Sequence, residues 1–233
     1  INKFLPYFIK VIICFYLYFL NFGLKKNNLF LSFQSNLYFI LLAKITGNKI
    51  ISRSNASPDT YLKNKIKRYI FSKIYGLSDK VIVNSNEFAK NFKRILKVKP
   101  IVVYNPSYNL KEIKLKSKKP INNYFFSKKN INFINVGRLT EQKNQILLLK
   151  TFKELNFINY KLLIIGTGKE YINLQNYIIS NNLNNKVKIL KNISNPLPYI
   201  KKSDVFILSS LYEGLPNVLI EAQALKKIII SSN

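Results

Sequence analysis

The chain has 233 residues, 48% of them hydrophobic and 14% aromatic, which predicts a packed core and excludes a disordered chain. Its 38 Lys and Arg against 10 Asp and Glu give a formal charge of +28 and hence affinity for anionic surfaces, although Lys, Asn, Ile, Phe and Tyr all have AT-rich codons and base composition accounts for much of the excess. There is no His and one cysteine, Cys14, which excludes His acid–base chemistry, an internal disulfide and a paired-Cys zinc site.

Residues 4–22 are mostly apolar but are broken by Pro6, Lys10 and Asn21. The clean run from Val11 to Leu20 is short of the roughly 20 residues that span a bilayer. A buried or interfacial helix is expected, and no small-residue cleavage site follows to make it a signal peptide. Leu29–Phe33 reads as a strand ending at Gln34-Ser35-Asn36, Leu37–Ile45 as a helix closed by Gly47, and Lys49–Ser52 as a second strand. The polar turn from Arg53 to Pro58 leads to a basic helix over 60–76. Lys80–Val83 is a third strand, with Asn84-Ser85-Asn86 capping a helix from Glu87 to about Leu96, and Ile101–Tyr104 a fourth.

Residues 107–129 lose periodicity and hold the expected linker, drawn at 113–129 between domains at 1–112 and 130–233. A second alternating series follows. Strands are predicted at Asn132–Val136, Tyr160–Ile165, Lys186–Leu190, Asp204–Leu208 and Lys227–Ser231. Helices are predicted at 142–155, 169–181 and Asn217–Leu225, with a short turn or helix over Pro196–Lys202. Such alternation argues for two open parallel sheets in tandem. Beginning at Ile1, lacking any Met, and stopping just after an apolar run, the chain is expected to be a fragment truncated at both ends.

Ligands of open parallel sheets bind at the carboxyl ends of the strands, so the strand-to-helix loops hold the candidate residues. In Gly137-Arg138-Leu139-Thr140-Glu141-Gln142-Lys143-Asn144, the glycine permits a tight turn, and Arg138 and Lys143 are placed to meet an anion near a helix start. Gly166-Thr167-Gly168 lacks the third glycine of the dinucleotide fingerprint, and a plain tight turn explains it equally well. The most informative stretch is Ser209-Ser210-Leu211-Tyr212-Glu213-Gly214-Leu215-Pro216-Asn217-Val218-Leu219-Ile220-Glu221-Ala222. Two acids flank a Gly-Leu-Pro turn at the start of an apolar helix, with Asn217 expected as N-cap. An ionised carboxylate is costly against a core, so Glu213 and Glu221 are expected to hold hydroxyls of a ligand whose phosphates sit at the helix N-terminus.

These residues, from Asp204 through Glu213-Gly214-Leu215-Pro216-Asn217 to Glu221-Ala222, resemble the C-terminal half of retaining glycosyltransferases of family 4, as does Gly137-Arg138-Leu139 with Gln142-Lys143-Asn144. The likeness is strong over about 131–226 and weaker over about 29–106. It implies an α/β fold of GT-B type: two Rossmann-like open parallel-sheet domains facing a cleft, both incomplete here. It further implies a nucleotide-diphosphate sugar as co-substrate and no metal, in keeping with the lack of an Asp-x-Asp motif. By that analogy Arg138 and Lys143 neutralise the diphosphate, Glu221 holds the ribose, and Glu213 contacts the donor sugar. Gly137 and the backbone from Gly214 through Leu215 and Pro216 to Asn217 would surround sugar and phosphate, with Asn192 and Ile193 beside the base. Gln34, Arg53 and Asn55 fall on the acceptor side. The chain departs from the family in having no His in its first domain.

The expected activity is sugar transfer with retention, without metal, to a glycan or lipid-linked glycan acceptor in envelope polysaccharide or lipopolysaccharide biosynthesis. A cytoplasmic location at the inner membrane face, with peripheral contact to anionic lipid, fits the basic charge and the apolar N-terminal segment. A basic nucleic-acid-binding protein is the alternative from charge and from 15 Tyr and 17 Phe, but those aromatics follow core runs and no specific nucleic-acid motif appears. A non-catalytic nucleotide-binding α/β module is the other, against which stands the presence of both acids.

Overall fold

The computed structural model describes residues 7–22, 26–33, 36–105, 109–121, 125–155 and 159–232. The chain divides into two compact units, Ile1–Asn105 and Pro106–Asn233.

In the first unit, helix α1 (Tyr7–Phe22) precedes strand β1 (Leu29–Ser32), helix α2 (Asn36–Ile45) and strand β2 (Lys49–Ser54). Short helix α3 (Pro58–Tyr61) and helix α4 (Lys65–Gly76) lead to β3 (Lys80–Val83). Helix α5 (Asn86–Asn91), continued by a π-helical turn over Phe92–Leu96, leads to β4 (Ile101–Val102). The four strands are parallel in the order β1-β2-β3-β4. Ile50, Val81 and Val83 face a core shared with Ile40, Tyr75, Phe88, Phe92 and Leu96. The expected single helix over 60–76 is two helices, because Asn64 caps a new start, its side chain accepting from Ile66 N at 2.7 Å. Gly47, at φ +70°, closes α2 in the left-handed conformation that glycine tolerates.

The second unit begins earlier than expected. Most of the segment assigned as linker is built into it: helix α6 (Leu110–Lys116) buries Ile113, and Phe126 is buried in the same core. Asn109 caps α6, accepting from Lys111 N at 3.0 Å. Then come β5 (Ile131–Val136), a 3-10 turn over Glu141–Lys143, α7 (Gln145–Glu154), β6 (Tyr160–Ile165) and α8 (Tyr171–Ser180). The chain continues through β7 (Val187–Leu190), α9 (Leu197–Lys202), β8 (Val205–Leu208), α10 (Asn217–Ala224) and β9 (Ile228–Ser231). All five strands are parallel, in the order β7-β6-β5-β8-β9.

This sheet is covered on both faces, which is why its strands read as continuous apolar runs. Phe133, Leu162, Ile164, Val205 and Ile207 pack one way, against Leu149 and Phe152 of α7 and Ile178 of α8. Ile134, Leu163, Ile165, Phe206 and Leu208 pack the other way, against Ile113, Ile200 and Ala222 of α6, α9 and α10. Asp204 ties β8 to β5, its Oδ2 accepting from Asn132 N at 2.8 Å and from Asn132 Nδ2 at 3.1 Å. Among the described residues no helix is long and apolar enough to cross a membrane.

Candidate active site

The order β7-β6-β5-β8-β9 makes the gap between β5 and β8 a switch point. The chain winds outward from β5 through β6 to β7, then returns to β8 on the other flank. Loops leaving the two central strands diverge there and open a crevice at their carboxyl ends. The loop after β5 carries Gly137, Arg138 and Lys143, and the loop after β8 carries Glu213, so the fold brings the predicted groups to one edge.

Their contact is direct. Lys143 Nζ forms an ion pair with Glu213 Oε1, the two side chains being 14% and 20% exposed. Ser210 Oγ donates to the same oxygen at 2.6 Å. The two loops are also joined through backbone: Leu211 N donates to Gln142 O at 2.8 Å, Gln142 Nε2 to Tyr212 O at 3.0 Å, and Ser209 Oγ to Lys143 O at 2.8 Å. Asn144, left-handed at φ +48°, breaks the 3-10 turn from α7, so the helix expected from 142 starts at Gln145.

Arg138 is exposed on the loop after β5. Its carbonyl accepts from Gln145 Nε2 at 3.0 Å. Gln145 is 2% exposed and lies 3.5 Å from Asn135 Oδ1, while Asn135 Nδ2 donates to Ile207 O of β8 at 2.8 Å. A chain of buried amides therefore runs from β8 to the arginine loop. Gln145 Oε1 is buried without a hydrogen-bond partner.

Gly166 and Gly168 leave no room for a side chain. A Cβ on Gly166 would stand 1.8 Å from Gly137 O, and one on Gly168 2.1 Å from Leu139 O. Leu139 N donates to Thr167 O at 2.9 Å, clamping the two loops together. The segment turns tightly and packs against the Gly137–Leu139 turn.

At the start of α10 the structure corrects the expected cap. Pro216 is the N-cap and makes no side-chain cap bond, and Asn217 is the first helical residue. The helix is also less enclosed than its apolar sequence predicts, with Ala222 its fully buried residue and Gly214, Leu215 and Pro216 half-exposed before it. Glu221 is half-buried on α10, and burial pushes its carboxyl above the usual value, while Lys116 of α6 pulls the other way. Asn192 is exposed and left-handed at φ +57°, beside half-buried Ile193, after β7.

In the first unit, Arg53 and Asn55 line a cavity of about 400 Å³ at the carboxyl end of β2, with Phe33, Asn36, Tyr61 and Tyr75. Arg53 Nη2 donates to Asn105 Oδ1 at 3.0 Å, and its guanidinium lies 5.9 Å from the Phe33 ring centroid. Arg53 Nε is buried without a partner. Burial first, then the adjacent Tyr75, push the Tyr61 phenol above its usual value, and burial raises Tyr75 likewise, so both tyrosines are neutral hydrogen-bonding groups. Gln34 lies outside the described residues.

Sequence reasoning missed Ser210, Gln145 and Lys116. A serine three residues before Glu213 and a glutamine opening an apolar helix were visible signals. Nothing in the sequence pointed to Lys116, which reaches the site only because α6 packs on α10.

Two open parallel sheets in tandem, the second with a cation–acid pair at its switch point, define an α/β fold of the GT-B class. Residues 116–233 match the family Glycosyl transferases group 1, and the chain belongs to that family. It is 37% identical over 180 residues to an uncharacterized glycosyltransferase of Methanocaldococcus jannaschii, covering 74% of this chain and 44% of that protein. It is 29% identical over 224 residues to the N-acetylgalactosamine-N,N'-diacetylbacillosaminyl-diphospho-undecaprenol 4-alpha-N-acetylgalactosaminyltransferase of Campylobacter jejuni, covering 91% of this chain and 59% of that protein. The chain thus spans about half the length of the curated relatives it matches. In fold it is similar to Anabaena HepE in complex with UDP and glucose, with a TM-score of 0.69 at 16% identity, over 87% of this chain and 58% of that one.

Proposed function

We propose that the chain is part of a retaining glycosyltransferase that moves a sugar from a nucleotide-diphosphate donor to a glycan or lipid-linked glycan acceptor. The observation that carries this reading is the Lys143–Glu213 pair at the β5/β8 switch point, beside the start of α10. There the diphosphate meets Lys143, Arg138 and the helix N–H groups. Glu213 faces the donor sugar, within the turn from Gly214 to Asn217, and Glu221 the ribose hydroxyls. Asn192 and Ile193 flank the base.

In the transfer, the anomeric carbon exchanges its bond to the diphosphate oxygen for one to an acceptor hydroxyl oxygen, on the same face of the ring. The acceptor proton leaves with the diphosphate. Developing charge on that leaving group is met by fixed cations and backbone dipoles, so no divalent ion is assigned a role. UDP in the similar Anabaena structure supports a uridine donor. The Campylobacter relative supports a diphospho-undecaprenol-linked acceptor, taken up through Arg53, Asn55 and the first-unit cavity. An acceptor of that kind supports a cytoplasmic location at the inner membrane face, in contact with anionic lipid.

The test is a donor screen, measuring nucleotide-sugar turnover for the unaltered protein and for Glu213→Ala and Glu221→Ala. Loss in both variants is expected. Equal turnover in all three overturns the assignment.

A further inference from the structure

Helix α4 has a second apolar face that the fold leaves uncovered. Phe71, Ile74 and Tyr75 pack into the core of the first unit. Ile66, Tyr69 and Ile70 turn away from it and are 70%, 64% and 47% exposed. Their spacing, i, i+3 and i+4, puts them on one stripe of the helix. Lys65, Lys67 and Lys73 border the stripe and are exposed, with Lys73 Nζ 5.5 Å from the Tyr69 ring centroid. The helix sequence KIKRYIFSKIYG contains no acid. Asn64 caps its first turn, so the helix holds its shape in the absence of a partner.

We infer that α4 docks the protein on an anionic lipid bilayer, lying in the interface with Ile66, Tyr69 and Ile70 among the acyl chains and the lysines on headgroup phosphates. The inference rests on the membrane-surface reading above and assigns it a surface. Aliphatic side chains framed by lysines need a partner that is apolar inside and anionic at its boundary. A second copy of the chain brings a further formal +28 and repels. Nucleic acid meets the lysines but offers isoleucine no apolar interior.

The chain contains no Trp, so Tyr69→Trp supplies a single fluorophore on the stripe. A blue shift is expected with phosphatidylglycerol vesicles, quenched by brominated acyl chains. Ile172→Trp, at an exposed position of α8 in the second unit, is expected not to shift. Replacing Ile66, Tyr69 and Ile70 together by Ser is expected to lower co-sedimentation with these vesicles at least tenfold while leaving donor turnover on a soluble acceptor unchanged. Co-sedimentation that survives this triple change but is lost on Tyr16→Ser with Leu20→Ser in α1 overturns the assignment to α4 and leaves the membrane reading standing. No co-sedimentation of the unaltered protein at low salt overturns both. A shift of the Tyr69→Trp fluorescence with single-stranded DNA equal to that with vesicles also overturns the inference, in favour of nucleic acid.

Discussion

Lys143 and Glu213 stand 70 residues apart in the chain and share an ion pair that joins the exit of β5 to the exit of β8. Each lies on a loop between a strand and the helix that follows it, yet both are largely shielded from water. The pair therefore holds the two loops together, and Ser210 shares the same Glu213 oxygen, so an anion that drew Lys143 away would leave Glu213 with one of its two partners.

Lys143→Met is expected to lower donor turnover by about 10²- to 10³-fold, the usual consequence of removing one group that meets leaving-group charge. It leaves Glu213 half-buried with Ser210 alone, which is expected to cost on the order of 1–2 kcal/mol in stability. Glu213→Gln retains the Ser210 contact and is expected to lose turnover with a smaller stability cost. Steady-state kinetics and urea unfolding separate the two. A Lys143→Met protein with unaltered turnover removes lysine from the mechanism.

Two glycines near this loop are expected to behave oppositely. Gly166→Ala drives a methyl to 1.8 Å from Gly137 O, so one loop must shift, at a cost of about 2–4 kcal/mol and with loss of donor binding. Gly137→Ala meets the Lys143 side chain at an ordinary 3.6 Å and is expected to change stability by less than about 1 kcal/mol. Thermal unfolding of the two variants checks the contrast.

Gln145→Met removes the bond to the Arg138 carbonyl but also removes a buried oxygen that has no partner. These effects oppose, so stability is expected to change by no more than about 1 kcal/mol. The arginine loop loses its anchor, and donor affinity is expected to fall about tenfold, read by titration with a nucleotide-diphosphate sugar. Unchanged affinity would show that the amide chain from β8 does not position Arg138.

Glu221 provides a pH signature. Burial raises its carboxyl above 4.5, so the fold disfavours the ionised form. The folded state binds this proton more tightly than the unfolded chain, and its contribution to stability is present below 4.5 and is lost as pH rises through the raised value. On the proposed reading, in which ribose hydroxyls donate to the Glu221 carboxylate, donor affinity is expected to move the other way, rising across that window and then levelling. Titration with a nucleotide-diphosphate sugar, which has no phosphate ionising nearby, is expected to show the rise in the unaltered protein and a flat profile in Glu221→Gln.

Much of the second unit was legible in sequence because a sheet covered on both faces writes itself as short apolar runs, such as Val205–Leu208, bounded by glycine, proline or asparagine. The charged loops were legible because arginines and acids are both few in a chain whose charge is nearly all lysine. Helix α6 was not, since two turns rich in lysine carry few apolar residues and Ile113 and Phe126 only acquire meaning once the sheet they cover exists. The break between α3 and α4 hid in the same way, as Leu62 is apolar enough to continue a helix. The outward stripe of α4 was masked by its lysines, which read as an ordinary solvated face. The Gln145–Asn135 contact joins residues on adjacent elements through side chains, which no periodicity reports.

The loop that bears Glu213 is stitched on several sides. Gln142 holds Tyr212 and Leu211 from one flank, and Ser232 Oγ, just beyond β9, donates to Ser210 O at 2.6 Å from the other. These bonds fix the backbone of the Glu213 loop before any ligand arrives. Little of the contact energy is consumed in ordering the backbone, and more of it appears as affinity. Preorganisation of this kind predicts an observed rate of donor association that rises linearly with donor concentration, because no slow closure of the acid loop has to accompany binding.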